Sequence, residues 1–421
     1  MVQFPGNPDI LIIGAGAAGV GAGRTLARSA ASFGIIEAKD RIGGRAYSES
    51  HSLGSLWDHG CHWFHSADKN ILRMIAEGMA HRFPPQPRSR QSNNFLDGAW
   101  VTTPIREDYV WKLLGEIADA GRRGEDRPAS ALLDPAHPWY PMIRHWVTLM
   151  YSAEPEDVST FDAGQYDDTG INLTVEDGYG ALIVRLAEGL PIRTGVAASK
   201  IEVTATGVAV TTQAGVIEAK TVIVAVPARA LETGRLVILP AMPDAVRDAF
   251  RDTPMGYYEK IAFGFDRPVF EGRSPYADIF DPVAPTTHPL NFELHPFGRP
   301  IAVTHIAGDF AREMERAGEA GMIDFALETL VRAFGSALRQ RVKTAVTTRW
   351  SSDPFIAGAY SCAKPGRGLA RREFTAPVHE RLFLAGEHVH QHFFATAHGA
   401  FETGISAAKR ALAKIGVAAG A

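Results

Sequence analysis

Six consecutive residues, Gly14-Ala15-Gly16-Ala17-Ala18-Gly19, have the types and spacing of a turn that cradles a pyrophosphate. The first glycine permits the tight turn, the second lets a phosphate approach the backbone, and the third lets a helix pack on a strand, with Gly23 extending that contact. The N-terminus of the following helix would present unpaired N–H groups and the positive end of its dipole to the phosphates. Glu37 lies 18 residues beyond Gly19, where an acid accepts hydrogen bonds from ribose hydroxyls and repels a 2′-phosphate, so NADP fits poorly. Directly after it, Arg41-Ile42-Gly43-Gly44-Arg45 sets two cations around a glycine pair, a loop able to approach a long anionic cofactor. FAD and NAD both satisfy the turn; the arginine loop favours FAD.

Lys260 is the second residue of chemical interest. In Tyr257–Phe265, Ile261, Phe263 and Phe265 share one face of a strand, while Tyr258, Lys260, Ala262 and Gly264 share the other. Small neighbours leave room beside the lysine, although an edge-strand lysine reaching for water would read the same way. His388, His390, His392 and His398 form a third cluster, and alternate spacing on an extended segment would put the first three on one side.

These residues need elements to hold them. Asp9–Ile13 reads as a buried strand, Ala17–Arg28 as an Ala-rich helix and Phe33–Glu37 as a second strand, a β-α-β unit. From Gly60 to Asp168 the chain is rich in aromatics, His and Pro. The segments Pro84–Asn94 and Gly121–Pro128 read as loops, and helices are expected near Asn70–Gly78 and Asp108–Ala120. Further on, Ala181–Leu190 and Gly321–Phe334 read as helices. Lys200–Val210, Thr221–Val226, Tyr257–Phe265 and Arg381–Ala385 read as strands, and a last helix runs from about Thr396 to Ile415. In that helix Ala397, Phe401, Ile405, Ala408 and Leu412 make an apolar face.

Composition narrows the class. The chain has 421 residues, a net charge of −4 and 21% charged residues, which suits an ordinary globular protein and gives no reason to expect nucleic acid. The two cysteines, Cys61 and Cys362, cannot build a disulfide framework or a four-thiolate zinc site and read as small buried residues. Neither a signal peptide nor an apolar run near the roughly 18 residues of a membrane span is evident, so a cytoplasmic location without membrane contact is expected. Two domains is the natural prior for this length.

Together these residues resemble the flavin-dependent amine oxidases. Gly14, Gly16 and Gly19 with Glu37 and Arg41–Arg45 look like the start of that family's FAD site. Leu384-Ala385-Gly386-Glu387-His388, Ala395-Thr396-Ala397-His398-Gly399-Ala400 and Arg349-Trp350-Ser351-Ser352-Asp353-Pro354-Phe355 are similar to its polyamine oxidase and histone-demethylase branch, as is Gly358-Ala359-Tyr360-Ser361. The resemblance implies an α/β fold: a Rossmann-like FAD-binding domain of the GR2 type, interleaved with an α+β substrate-binding domain. The FAD-binding domain is expected over 1–62, 172–232 and 378–421, and the substrate-binding domain over 63–171 and 233–377.

It also implies roles. Gly14, Gly16, Ala17, Ala18, Gly19, Glu37, Ala38, Arg41, Gly43, Gly44, Arg45, Val196, Gly386, Glu387, Thr396 and Ala397 would contact FAD. Among them Val196 would meet adenine through its backbone, and the helix start at Thr396–His398 would face the flavin N1–C2=O edge. Gly399 and Gly404 would let that helix sit close to the ring. Lys260 would hold a water at flavin N5, reversing the edge-strand reading. Trp350, Tyr360 and Phe393 would surround flavin and amine as aromatic walls, with Phe393 at a position often filled by Tyr. His65, in Gly60-Cys61-His62-Trp63-Phe64-His65, would lie near the substrate. Ala359 stands where the monoamine oxidases carry the cysteine that tethers their flavin, so FAD is expected to be non-covalent. The histidine run overlaps the flavin motif, and no metal is expected.

The reaction implied is oxidation of an amine C–N bond to an imine, then aldehyde or ketone, with O2 reduced to H2O2. A polyamine-type substrate is favoured, with Glu154, Glu156, Glu293 and Asp309 as candidate pocket acids. The alternatives are a monoamine-type oxidase, a related flavin desaturase or dehydrogenase, and a catalytically silent FAD-binding partner protein. The partners expected are a small-molecule amine and O2, in a monomer or a homodimer.

Overall fold

Four consecutive apolar residues, Ile10–Ile13, form a fully buried strand at the centre of a five-stranded parallel sheet. Its strand order is Leu382–Leu384, Thr221–Val224, Ile10–Ile13, Phe33–Ile36, Ile192–Arg193, so three distant stretches of chain build one sheet. Alternation along these strands feeds two cores. Ile10, Ile12, Ile35, Ile223 and Phe383 face the helices Ala17–Leu26, Tyr179–Ala187 and Ala397–Lys414. Leu11, Ile13, Ile36, Val222 and Val224 face a four-stranded sheet on the other side. Burial on both faces is what a parallel sheet requires. The computed structural model describes residues 4–84, 93–101, 105–270, 272–280, 288–375 and 378–419. Most of the loop expected over Pro84–Asn94 lies outside the described residues, and its end, Asn93–Leu96, is a strand.

The four-stranded sheet corrects one expectation. Lys200–Val210 is not one strand but two, Ala198–Val203 and Val208–Thr212, turned at Thr204–Gly207, where the Thr204 hydroxyl accepts from the Gly207 N–H at 3.1 Å. The apolar positions shift parity there, from Ile201 and Val203 to Val208 and Val210, which a single strand facing one core cannot accommodate. Val237–Leu239 lies beyond residue 232 but pairs in parallel with Lys200–Glu202 in this sheet.

The first and last helices pack backbone to backbone. A Cβ on Gly21 would run into the Phe401 carbonyl, and one on Gly404 into the Ala18 carbonyl. Gly404 therefore serves the contact between helices rather than the flavin ring, and Gly399 is pressed against the Phe393 carbonyl. The buried face of the last helix is also wider than the stripe expected, adding Ala400, Thr403, Gly404, Ala407 and Ala411, while Ile405 is only partly buried.

A seven-stranded sheet lies in the rest of the chain. It runs Val342–Thr347, Tyr258–Phe265, Ile301–Ala307, Leu290–Leu294, Tyr276–Phe280, Asn93–Leu96, Ala99–Val101. Ile261, Phe263, Ala302, Ile306 and Phe292 turn one face onto a core that includes the helix Glu319–Phe334. The strand carrying Lys260 has hydrogen-bonded neighbours on both sides, so Lys260 sits in the sheet interior and is 3% exposed. Water-seeking at an edge does not describe it. Among the described residues no helix is long and apolar enough to cross a membrane.

Candidate active site

The glycine turn behaves as its sequence suggests. Gly14 has φ +104°, and a Cβ there would lie 2.6 Å from the Ala225 carbonyl oxygen. A Cβ on Gly19 would collide with the Gly14 carbonyl, whereas one on Gly16 would meet nothing nearer than the Gly43 oxygen at 3.9 Å. Open space is thus kept at the one glycine expected to face phosphate. Gly16 caps the helix Ala17–Leu26 without a side-chain hydrogen bond, and the first-turn N–H groups, Ala17 and Ala18 included, have no partner within the helix. Glu37 is buried beside this turn. Its Oε2 accepts from the Ala15 N–H at 2.8 Å and its Oε1 from the Lys39 N–H at 2.9 Å, with Ala38 between. A carboxylate has about four acceptor positions, so two remain for ribose hydroxyls. The Val196 N–H donates to the Glu37 carbonyl at 2.8 Å, which brings Val196 to the same edge.

The arginine loop closes over the turn. Gly43 N–H donates to the Ala15 carbonyl at 3.0 Å, and Gly44, at φ +59°, packs against Gly16. Arg41 donates to the Gly44 carbonyl at 2.9 Å and stacks on Tyr47, so it rigidifies its own loop. Arg45 reaches across the chain to the Ala359 carbonyl and to Glu387 Oε1 at 3.1 Å.

Glu387, in the turn after Gly386, anchors a network that sequence reasoning missed. Its Oε2 accepts from the Ser361 hydroxyl at 2.7 Å and the Ala395 N–H at 3.1 Å. Arg371 donates to the Ser361 hydroxyl at 2.7 Å and pairs in two places with Asp162, at 2.7 and 3.0 Å, all of it buried. Burial raises the Glu387 pKa, but Arg45, His388, Ser361 and Arg371 together hold it down at about 2. Glu387 therefore stabilises the fold fully above the ordinary value of 4.5, and that contribution is lost as pH falls through about 2. Urea midpoints should therefore drop between these two values, and Glu387→Gln should flatten the drop. An unchanged slope in the variant would refute this account.

The cofactor implied by the sequence fits what is present. Space at Gly16, uncapped N–H groups, a buried acid with acceptor positions to spare and two nearby arginines suit a dinucleotide diphosphate. At the other end, Thr396 caps Ala397–Lys414, its hydroxyl accepting from the Gly399 N–H at 3.0 Å, which leaves the Ala397 and His398 N–H groups without helical partners. His398 is 1% exposed, and its buried Nε2 has no hydrogen-bond partner. The histidine run does not converge as alternate spacing suggests. His388 packs on Phe250 and Phe374, His390 pairs with Glu402, and His392 meets the Gln165 carbonyl. The short helical turn Glu387–Val389 breaks the alternation.

Lys260 stands on the inner face of the seven-stranded sheet. Its Nζ donates to the Asp58 carbonyl at 2.8 Å and lies 3.0 Å from His62 Nδ1. His62 Nε2 is 2.9 Å from Glu293 Oε1, and His305, paired across the strands with Lys260, lies 3.9 Å from the same oxygen. Tyr258 hydroxyl meets His305 Nδ1 at 2.7 Å, and the Tyr258 ring leads to Tyr360, 5.9 Å between centroids. The Tyr360 hydroxyl donates to the Leu149 carbonyl.

The other expected site residues fall into two further groups. Phe393 packs on His398 at 4.8 Å between centroids, and half-buried His65 holds Asn172 at 3.0 Å near the same His398. Trp350 donates to the His59 carbonyl at 3.4 Å and lies under Arg41. No ring contact joins Tyr360 to Phe393 among the described residues. Of the candidate acids, Glu154 and Glu156 are tied to Arg144, Glu154 also accepts from the Asp309 N–H, and Glu293 alone stands beside Lys260 and His62.

Known proteins give the same reading. Residues 139–412 match the family described as flavin containing amine oxidoreductase, and residues 12–77 match an NAD(P)-binding Rossmann-like domain. Polyamine oxidase 4 of Oryza sativa subsp. japonica is 27% identical, over 99% of this chain and 91% of its own. Polyamine oxidase 2 of Arabidopsis thaliana is 27% identical over 96% of this chain and 88% of its own. Lysine-specific histone demethylase 2 of Homo sapiens is 24% identical over 96% of this chain but 53% of its own.

Proposed function

Because this chain belongs to the flavin containing amine oxidoreductase family, and is thereby an FAD-dependent amine oxidase, we propose that its substrate is a polyamine-type amine and its electron acceptor O2. The observation that carries the substrate class is the likeness to plant polyamine oxidases along nearly the whole chain. Bound FAD would supply two-electron redox chemistry, with the amine α-carbon oxidised and O2 reduced to hydrogen peroxide.

The chain's own residues position and shield. Gly14, Gly16, Gly19, Glu37 and the Arg41–Arg45 loop would bind the dinucleotide; Glu387 braces Arg45, and the free N–H groups at the Thr396–Ala397 helix start would stabilise negative charge on the reduced flavin. Tyr360 and Phe393 act as apolar walls that disfavour an ammonium and so select the neutral, reactive amine. Trp350 and His65 line the approach, and Lys260 holds an ordered water at the reacting edge. Water then hydrolyses the imine to aldehyde or ketone. Ala359, buried where a tethering thiol would stand, supports dissociable FAD, and the two free thiols, Cys61 and Cys362, support a reducing, cytoplasmic setting for a monomer or homodimer.

Purified protein should carry oxidised flavin that denaturation releases. Spermidine or spermine should bleach it anaerobically and yield one peroxide per turnover in air. Faster reduction by simple aryl amines than by polyamines would move the assignment to a monoamine-type oxidase. Bleaching that persists in air would make it a dehydrogenase.

A further inference from the structure

Lys260 is an amine enclosed by protein, and burial pushes its pKa down from the ordinary lysine value. A lysine so placed keeps its proton only if an anion nearby opposes desolvation. The titratable groups that face it are Asp58, His59, Cys61 and His62 from one segment, and Glu293 and His305 from the sheet. Most of them cannot serve. The Cys61 thiol is pushed up to about 12 by burial and stays neutral, and burial drives His305 and His59 towards their neutral forms. Burial also raises the Asp58 carboxyl, whose oxygens are already spent on the Tyr179 N–H and the Ser48 hydroxyl. Glu293 remains: burial opposes its charge, yet its hydrogen bond with His62 and the nearby Lys260 ammonium hold its carboxyl below the ordinary value.

The hydrogen-bond directions close the argument. An ammonium at Lys260 donates to His62 Nδ1, which must then be unprotonated, so His62 carries its proton on Nε2 and donates it to Glu293 Oε1 at 2.9 Å. His305 stacks on His62 at 5.5 Å between centroids and is itself fixed by Tyr258. We propose that Glu293, acting through the His62 imidazole, is the positioning residue that keeps Lys260 an ammonium and aims it, an inference that rests on the reading of Lys260 as the lysine at the flavin edge. The nitrogens of His62 and His305 with the Glu293 oxygen also lie close enough together to hold a metal ion. A metal would need the Nε2 lone pair of His62, and would turn an Nδ1 proton against the Lys260 ammonium.

The test is a pH titration of the visible flavin spectrum of the oxidised holoenzyme, without substrate. The transition that Lys260→Met abolishes is that of Lys260. Glu293→Gln should move this transition down by about one pH unit or more, Glu293→Asp should restore most of the shift, and the Lys260→Met/Glu293→Gln pair should show no transition. Should Glu293→Gln lose its flavin, His62→Gln, which cuts the same link, must give the downward shift. A transition at the same pH in wild type and Glu293→Gln overturns the role of Glu293 and leaves Lys260 at the flavin. If Lys260→Met titrates like the wild type, the placement of Lys260 at the flavin edge falls, and this inference with it. Stoichiometric zinc or another divalent metal in the purified enzyme also overturns it, making Glu293 a ligand.

Discussion

Lys260→Met should purify yellow and fold, yet at least one of its half-reactions should slow by about 100-fold or more, the range in which a positioned proton-handling group acts. Anaerobic stopped-flow reduction by the best amine and reoxidation by O2 measure the two steps separately. Flavin retention is expected because Lys260 lies in the seven-stranded sheet, and its hydrogen bonds go to Asp58 and His62 rather than to the glycine turn or the arginine loop. Methionine preserves the length and apolar stem of lysine but removes the charge. The Asp58 carbonyl and His62 Nδ1 then lose their donor, and Glu293 loses a buried counter-charge. Such unmet groups cost about 1–3 kcal/mol each, so the unfolding midpoint should fall without collapse. Rates within twofold of wild type for both half-reactions would remove Lys260 from the mechanism.

What the sequence disclosed depended on how local the physics was. The glycine turn, Glu37 and the arginine loop lie within 32 residues, from Gly14 to Arg45, and each makes sense in light of its neighbours. Strand alternation likewise identified the face of Lys260, because side-chain direction in a strand is fixed by parity. Its partners were not legible in the same way. His62, Glu293 and His305 come from three segments, and only strand register and a loop crossing bring them within hydrogen-bond reach. Glu293 could be named as an acid but not placed, and His305 gave no sign beyond alternating in Ile301–Ala307. The Asp162–Arg371–Ser361–Glu387 network was hidden for the same reason. Its members are over 200 residues apart in the chain at the extreme, as between Asp162 and Arg371, and no periodicity links them.

Glycines were misread where two explanations shared one residue type. A glycine in a helix beside a cofactor can make way for the cofactor or for another helix, and sequence alone does not choose. At Gly404 the Ala18 carbonyl decides for the helix, and at Gly16 the empty space leaves room for a ligand. This contrast matters for function, since only the second kind can be filled without breaking the fold.

Gly16→Val should therefore leave a folded protein that does not hold FAD. Gly16 has φ −77° and ψ −173°, extended backbone that a β-branched residue adopts readily, and its added Cβ would meet nothing closer than 3.9 Å. The urea midpoint of the flavin-free protein should stay within the equivalent of about 1 kcal/mol of flavin-free wild type. The valine methyls would nonetheless occupy the approach of the pyrophosphate to the first-turn N–H groups. Two charge-assisted hydrogen bonds at about 1.5 kcal/mol each amount to about 3 kcal/mol, an increase in Kd of about 100-fold. Fluorescence titration of the flavin-free proteins with FAD measures that change directly. Gly19→Val is the control, because its Cβ would collide with the Gly14 carbonyl and should destabilise the fold itself. If Gly16→Val binds FAD as tightly as wild type, the open space at Gly16 is not where the pyrophosphate lies, and the turn holds its cofactor some other way.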